Sequence, residues 1–257
     1  MVQDLTQQKL WDDRWAGFRG ESRWKLSVRE LDRHLRRVLD RVPENGSLLE
    51  LGGAPGRIAE RHFRLRPDLK IDCLDFSPVG TQRTRELYES CGIKGDVIES
   101  DFRAYSAASG DYDLVCSYGL VEHFDEIQDV VSRHFDFAKP GGMVSIVVPN
   151  YAAFPVRTLL NRFSHETVDT HNLSCMDPEV LTDAVRSAGG VNIEAGSTGA
   201  AILPHSSVNK GFGGRMYGRV AQAWNLLNSM LGLATGDRLV VRLWRHSIYV
   251  VANKKVD

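Results

Sequence analysis

The stretch that most constrains this 257-residue chain is residues 48–56, which read Leu-Leu-Glu-Leu-Gly-Gly-Ala-Pro-Gly. An apolar run contains Glu50 near its end and gives way to a loop with Gly52, Gly53 and Gly56. Glycines let a backbone approach a bound molecule closely, and the first N–H groups of the helical stretch that follows can face an anionic group. An acidic side chain at the end of the strand repels a pyrophosphate and suits a cation or an ammonium. The stretch therefore predicts a site for a positively charged nucleoside rather than for a dinucleotide.

Strands and helices alternate along most of the chain. Apolar runs predict strands at 47–51, 71–75, 95–99, 112–117, 142–148, 190–196 and 247–253, and helical periodicity predicts helices at 3–18, 56–65, 79–91, 124–138, 152–162 and 177–188. Continuous apolar strands that alternate with helices indicate a parallel sheet covered on both faces. We therefore predict an α/β fold with a Rossmann-like, seven-stranded, mostly parallel sheet, N-terminal helices and a late helical insertion.

This pattern divides the chain into four parts. They are an N-terminal helical cap (1–44), a Rossmann-like core (45–196), a helical insertion (197–246) and a final strand (247–257). Within the insertion, apolar residues recur at helical spacing, namely Tyr217, Val220, Ala221, Trp224, Leu227, Met230 and Leu231. The insertion is interpreted as a helix docked on the core, with a substrate lid or a homodimer face as alternatives. Contact with a membrane surface is a further alternative, with only Arg215 and Arg219 as flanking charges.

Acidic and aromatic residues follow the ends of successive predicted strands. Asp75 ends the second strand, 25 residues after Glu50, where a carboxylate can accept both hydroxyls of a ribose. Asp101 follows the third strand and can accept from an exocyclic amine, while the Phe102 ring can pack on a base. In a parallel sheet the carboxyl ends of the strands meet at one edge, so these side chains are expected to lie close together.

Taken together, residues 45–195 and the strand at 247–253 resemble the class I S-adenosylmethionine-dependent methyltransferases. Residues 50–56, ELGGAPG, are similar to that family's first motif, acidic-x-Gly-x-x-x-Gly. The resemblance implies S-adenosyl-L-methionine as cofactor, with Glu50 and the glycine loop around its methionine part and Asp75 on its ribose. The full set of cofactor contacts that it implies is Glu50, Gly52, Gly53, Ala54, Gly56, Asp75, Phe76, Asp101, Phe102, Tyr118, Trp15 and Trp11.

Later motifs are similar to the small-molecule branch of the family, which includes the quinone-biosynthesis enzymes. They are GLVEHF (119–124), KPGG (139–142) and VVPN (147–150), and the N-terminal WDDRW (11–15) resembles the helix that closes over the cofactor there. The GxAPG form of the loop also resembles ribosomal RNA 2′-O-ribose methyltransferases. No Lys-Asp-Lys-Glu tetrad can be placed, however, and a formal net charge of −1 argues against a nucleic-acid partner.

The expected reaction is methylation of a hydroxyl group on a small molecule such as a sugar, a phenol or a secondary-metabolite intermediate. His171 and His123 are the candidate bases, because histidine suits proton abstraction at neutral pH. Tyr118, Tyr151, His165 and His205 are the candidate acceptor contacts, and His34 is expected at the surface. Methylation of nitrogen, carbon or a carboxylate, and a non-catalytic cofactor-fold binding protein, are the alternatives.

The remaining expectations concern metals and location. His165, Asp169 and His171 are close enough in sequence to suggest metal ligands, but polar loops contain such residues by chance, so we expect no resident metal. The four cysteines lack CxxC spacing and predict free thiols in a reducing compartment. With no apolar run of bilayer-spanning length, we expect a cytoplasmic protein.

Overall fold

A computed structural model describes residues 4–18, 26–106, 110–205, 208–209 and 211–256. The strands are β1 (Ser47–Leu51), β2 (Lys70–Asp75), β3 (Val97–Glu99), β4 (Tyr112–Tyr118), β5 (Ala138–Pro149), β6 (Gly190–Thr198) and β7 (Ser247–Lys254). The helices are α1 (Gln8–Ala16), α2 (Leu26–Leu39), α3 (Arg57–Leu65), α4 (Pro78–Cys91), α5 (Ile127–Phe137), α6 (Val156–Phe163), α7 (His165–Asp169), α8 (Pro178–Ser187) and α9 (Phe212–Thr235). Short 3-10 turns lie at Val121–His123 and Leu173–Met176.

The strands form one sheet in the order β3-β2-β1-β4-β5-β7-β6. The pairings among β1 to β5 are parallel, whereas β7 runs antiparallel to both β5 and β6. The predicted seven-stranded, mostly parallel α/β fold is thus confirmed. The strand order reverses between β1 and β4, which is the point where sheets of this kind bind ligands, at the carboxyl ends of their strands.

Successive residues of the central strands face opposite sides of the sheet. Leu48 and Leu114 pack in a core with α2, α3 and α4, whereas Leu49 and Val115 pack in a second core with α5 and α8. This period of two explains why the strands read as continuous apolar runs, since both faces of the sheet are covered.

Several element boundaries differ from the predicted ones. The first helix begins at Gln8 rather than at residue 3, and residue 3 lies outside the described residues. The helix predicted at 124–138 is a 3-10 turn at Val121–His123 followed by α5, and β5 begins four residues earlier than predicted, at Ala138. The 3-10 turn places Glu122 and His123 at the carboxyl end of β4, where the ligand site of such a sheet lies.

Within the part of the chain that the structure describes, none of the helices combines the length and the apolarity that a bilayer crossing needs.

Candidate active site

A cavity of about 960 Å³ opens at the carboxyl ends of β1, β2, β4 and β5. Its walls come from the glycine loop after β1, the N-terminal segment, the 3-10 turn after β4, Ile202 and Pro204. The lining residues include all of the predicted cofactor contacts except Gly56. The topology thus brings together side chains that are far apart in the sequence.

The glycine loop owes its shape to two positions in the left-handed region. Gly52 has φ +64° and Gly56 has φ +84°. A Cβ on Gly52 would lie 2.9 Å from Leu120 Cδ1, and one on Gly56 would lie 3.0 Å from Thr84 Cγ2. Gly52 therefore keeps the loop close to the turn after β4, while Gly56 serves the start of α3 rather than the cavity wall.

Glu50 presents an unpaired carboxylate oxygen to the cavity. Its side chain is 2% exposed, and Oε2 has no hydrogen-bond partner among the described residues. Burial raises the pKa of Glu50 to about 8, although the nearby Arg57 guanidinium acts to lower it. A buried carboxyl group without a partner is costly unless a ligand supplies one, so this oxygen suits the ammonium of an amino acid.

Asp75 is held in place by backbone N–H groups. Its Oδ2 accepts from the N–H of Ala54 at 3.1 Å, and its Oδ1 accepts from the N–H of Ser77 at 2.9 Å. Burial raises the pKa of Asp75 to about 6 against the opposing effect of these hydrogen bonds. The carboxylate has further lone pairs that can accept hydroxyl groups, as the prediction for a ribose requires.

Asp101 lies on the cavity wall in an ion pair with Arg103, with Nη2 of the arginine 2.6 Å from Oδ2. Burial acts to raise the pKa of Asp101, but the hydrogen bonds from Arg103 outweigh it and the pKa is lowered. Arg103 also donates to Asp4, which ties the N-terminal segment to this wall. Phe102 is buried edge-on against Phe124, with ring centroids 5.7 Å apart.

The N-terminal segment closes one side of the cavity with Trp11 and Trp15. The two rings stack with centroids 5.6 Å apart, and Trp15 Nε1 is buried without a hydrogen-bond partner among the described residues. Two contacts anchor α1 to α4: Ser77 Oγ donates to Asp12 Oδ1 at 2.5 Å, and Arg83 Nη2 donates to the Ala16 carbonyl at 2.8 Å.

His123 and His171 face each other across the cavity wall, with ring centroids 4.6 Å apart. His123 Nδ1 lies 2.8 Å from the Thr170 carbonyl oxygen, which can only accept, so Nδ1 donates and Nε2 keeps its lone pair. The Thr170 hydroxyl donates to the Glu166 carbonyl, so His171 Nδ1 donates to Thr170 Oγ1 at 3.1 Å. In the neutral form of each imidazole the proton is therefore on Nδ1 and the lone pair is on Nε2.

Burial keeps these two imidazoles neutral. It lowers the pKa of His123 to about 3 and that of His171 to about 4. Neighbouring Glu122 is 2% exposed, its Oε2 has no partner among the described residues, and burial raises its pKa to about 8. The Arg14 guanidinium also lines the cavity, and its positive charge adds to the lowering of the pKa of both imidazoles.

One ligand atom each from Glu122, His123 and His171 lie within 4.8 Å of one another. Two imidazole nitrogens and a carboxylate form a donor set of the type that binds zinc or iron. The set differs from His165, Asp169 and His171, which the sequence spacing groups together: the side chains of His165 and Asp169 are exposed, and neither residue lines the cavity.

The two tyrosines expected to contact the acceptor both line the cavity. The Tyr118 hydroxyl lies 3.1 Å from His62 Nε2, and so engages a residue of α3. The Tyr151 ring packs against His171 at a centroid distance of 5.2 Å. Tyr151 is therefore the one placed beside the two candidate bases.

Three further histidines that the sequence analysis names do not line the cavity. His165 is exposed at the start of α7, and His205 is half-buried next to Pro204 but does not itself line the cavity. The expectation that His34 is a surface residue is wrong: its side chain is 1% exposed and packs against Tyr249, with ring centroids 4.8 Å apart. It lies on the face of α2 that covers the sheet, where the helical period alone does not distinguish a histidine from its apolar neighbours.

Sequence reasoning did not identify several residues of the site. Glu122 enters the sequence prediction only through the motif GLVEHF, and Arg14, Ile202, Pro204 and His246 also line the cavity although the sequence does not predict them there. The position of Glu122, directly before His123 at the end of a strand, was a usable signal. Ile202 and Pro204 carried no signal, because they reach the cavity only through the packing of a late segment.

The comparisons with known proteins agree with this geometry. The model of a family described as a methyltransferase domain matches residues 23–195. A search of curated proteins found no match.

Solved structures share the fold at low sequence identity. They include the [4+2]-cyclase SpnF (TM-score 0.62, 16% identity, covering 99% of this chain and 97% of that one). A candidate sarcosine dimethylglycine methyltransferase from Galdieria sulphuraria has a TM-score of 0.60 at 16% identity, covering 96% and 98% of the two chains. Haemonchus contortus phosphoethanolamine N-methyltransferase 2 in complex with S-adenosyl-L-methionine has a TM-score of 0.56 at 14% identity, covering 88% and 52%.

The residues present fit S-adenosylmethionine. The unpaired oxygen of Glu50 suits its ammonium group, Asp75 can accept its ribose hydroxyls, and the aromatic rings of Phe76 and Phe102 flank the space beyond. The matched domain, the strand order and this site agree: the chain belongs to the class I S-adenosylmethionine-dependent methyltransferases.

Proposed function

We propose that the protein transfers a methyl group to a hydroxyl of a small molecule, with His171 as the base. The observation that carries the proposal is the pair of imidazoles that line the cavity with ring centroids 4.6 Å apart, each holding its Nδ1 in a hydrogen bond. A hydroxyl must lose its proton as it is methylated, so an O-methyltransferase needs a base where an amine acceptor in its neutral form does not.

His171 is favoured over His123 because of its surroundings. The His123 ring is 6% exposed and lies between Trp11, at a centroid distance of 5.0 Å, and His171. His171 is less buried and lies next to Tyr151. His123 then holds the neighbouring ring in place and is the second candidate for the base.

Bound S-adenosylmethionine supplies a methyl group made electrophilic by its sulfonium. The chain has to hold the acceptor hydroxyl in line with that methyl group, and such alignment contributes roughly 7–11 kcal/mol in favourable cases. His171 Nε2 takes the hydroxyl proton, and Tyr151 and Trp11 shield the reacting oxygen from water. A positioned base adds roughly 10²–10⁴-fold to the rate.

The acceptor is a sugar, a phenol or another hydroxylated metabolite, and the four unpaired cysteines agree with a reducing cytoplasm. Nitrogen methylation is the competing activity, because two of the structural neighbours carry names of amine methyltransferases. The test is to incubate purified protein with S-adenosylmethionine and matched acceptors that differ only in a hydroxyl or an amine. We expect O-methyl products by NMR, whereas N-methyl products alone would refute the proposal.

A further inference from the structure

The arginines that line the cavity differ in what they contact. In the described part of the chain they are Arg14, Arg57, Arg61, Arg83 and Arg103. Three of them hold oxygen atoms of the protein: Arg61 pairs with a carboxylate of α2, Arg83 donates to two backbone carbonyls, and Arg103 pairs with two carboxylates. Arg14 and Arg57 remain as cations that a ligand could use.

The Arg14 guanidinium has no carboxylate or carbonyl partner among the described residues. It packs over the Trp11 ring, with Cζ 4.9 Å from the ring centroid. The adjacent acids of α1 are engaged elsewhere: Asp12 accepts from a serine, and Asp13 pairs with a lysine one turn earlier. Arg14 both lines the cavity and is exposed, so it lies at the rim with its N–H groups open to a ligand. A guanidinium presents these donors as a planar fork that matches a carboxylate.

The charge of Arg14 acts on the end of the cavity that holds the two candidate bases. Burial is the main cause of the low pKa of His123 and of His171, and the Arg14 charge lowers both further. The same charge opposes the burial that raises the pKa of Tyr151. One ring separates Arg14 from these side chains, since the Trp11 centroid lies 5.0 Å from that of His123. Arg14 is therefore close to the space where the acceptor hydroxyl is expected.

The carboxylate of S-adenosylmethionine has a different cation near its expected position. The amino and carboxylate groups of the cofactor share one carbon atom, so an ammonium at Glu50 brings the carboxylate close to Glu50 as well. Arg57, the first residue of α3, lines the cavity, and its charge acts to lower the pKa of Glu50 against the larger effect of burial. Arg57 therefore suits the cofactor, which leaves Arg14 for the acceptor.

The carboxyl group beside the two imidazoles does not balance the charge of Arg14. Glu122 Oε1 lies 3.9 Å from His123 Nε2. Burial raises the pKa of Glu122 to about 8, so this group is largely protonated at pH 7. With both imidazoles neutral, the Arg14 charge is unbalanced by the described groups around them. One positive charge suits a single carboxylate better than a phosphate dianion.

We propose that Arg14 binds a carboxylate of the acceptor, which is then a hydroxylated monocarboxylic acid such as a phenolic acid or a sugar acid. This inference rests on the proposed function, because it places the hydroxyl of the same molecule at His171. The methyl group goes to the hydroxyl oxygen and the hydroxyl proton goes to His171. The carboxylate is held by Arg14 and is left unchanged by the reaction.

The test measures binding to the full-length protein loaded with S-adenosylhomocysteine. The probes are two matched pairs, protocatechuate with its amide and glucuronate with glucose, and calorimetry gives each affinity. We expect at least one acid to bind about tenfold or more tightly than its neutral partner, because a charge-assisted hydrogen bond is added. Arg14→Gln should remove this preference. Arg14→Lys should keep part of it, since the charge remains but the planar fork is lost.

The matched control is Arg162→Gln, which should bind like the wild type. Arg162 also lies over an aromatic ring, with Cζ 5.6 Å from the Phe163 centroid, but it does not line the cavity. Calorimetry with S-adenosylmethionine checks that Arg14→Gln is folded and should give the wild-type affinity. A tenfold loss of that affinity, against the roughly tenfold effect expected for the acid, would make Arg14 a cofactor residue and overturn the proposal.

Three further results would overturn it: a wild type that prefers neither acid, an Arg14→Gln variant that keeps the preference, or a methyl ester as the product. His171→Ala should keep the preference for the acid, because Arg14 and not the base holds the carboxylate. Binding of the acid is thus measured apart from methyl transfer. If the products were N-methylated, the proposed function would fail while the role of Arg14 in binding the acid would stand.

Discussion

The Asp75 carboxylate accepts the backbone N–H of Ala54 at 3.1 Å, so the acidic residue that ends β2 fixes the glycine loop that follows β1. The same carboxylate holds the start of the next segment through the N–H of Ser77. Two parts of the cofactor site that are 21 residues apart in sequence are thus joined by one side chain. Loss of the Asp75 charge should disturb both the ribose contact and the loop.

Asp75→Asn should weaken S-adenosylmethionine binding about 10- to 100-fold, because hydrogen bonds to a charged acceptor are replaced by weaker ones. The wild-type affinity should fall as the pH drops through about 6, where the carboxylate takes up a proton, and the variant should lack this step. Calorimetry from pH 5 to pH 7 measures both effects (roughly one unit either side of the pKa). An affinity that is independent of pH in the wild type would contradict the role of the ionised Asp75.

Glu50→Gln should make the cofactor-free protein more stable while weakening cofactor binding about 10- to 100-fold. The pKa of Glu50 in the folded protein is about 8, above its unfolded value, so its ionisation costs stability as the pH rises from about 4.5 to 8. Glutamine removes that cost, which is on the order of 3 kcal/mol at pH 7.

Thermal melts without and with S-adenosylmethionine measure the gain in stability and the loss of cofactor affinity in Glu50→Gln. The variant should melt at a higher temperature alone and show a smaller rise on adding the cofactor. A variant that melts lower at pH 7 but keeps full cofactor affinity would show that Glu50 supports the fold rather than the ligand.

His171→Ala should lower kcat by roughly 10²–10⁴-fold and leave cofactor affinity nearly unchanged, because the base acts on the acceptor. His123→Ala should have a smaller effect if this ring only positions His171. The control is His165→Ala, an exposed histidine of the same polar segment, which should turn over like the wild type. If turnover were unchanged in both His171→Ala and His123→Ala, the assignment of a histidine as the base would be wrong.

A chelator should leave turnover unchanged. The donor set of Glu122, His123 and His171 lies within 4.8 Å, so a divalent ion there would compete with the hydroxyl proton for the same Nε2 lone pairs. Dialysis against EDTA followed by an activity assay separates the two roles. If EDTA abolished activity and added zinc or magnesium restored it, these residues would be metal ligands. That result would contradict the assignment of His171 as the base.

The sheet could be predicted from sequence, and so could the grouping of the candidate cofactor contacts around one cavity, because both depend on local patterns. Apolar runs marked the strands, and the positions of Glu50 and Asp75 at strand ends placed them at one edge by topology alone. The pairing of His123 with His171, by contrast, depends on how the polar segment after α6 packs against the turn after β4. Contacts between residues so far apart in the chain do not produce a periodic pattern in the sequence.

The same limit explains the errors in the helices. The sequence predicts His34 at the surface, although α2 buries it against the sheet. The helical spacing of the apolar residues in α9 also does not distinguish Tyr217, which packs inward, from Leu227, which is exposed. A helical period shows that a helix has faces, but the face that meets the core depends on partners elsewhere in the chain. Tyr217 and Trp224 are turned inward by hydrogen bonds to carbonyls of residues 201–204.

The most direct test of the account is a crystal structure of the protein with S-adenosylhomocysteine bound. We predict the amino group of the ligand at Glu50, its ribose hydroxyls at Asp75 and its sulfur facing the space beside His171 Nε2. A bound ligand whose sulfur points away from both His171 and His123 would contradict the proposed reaction.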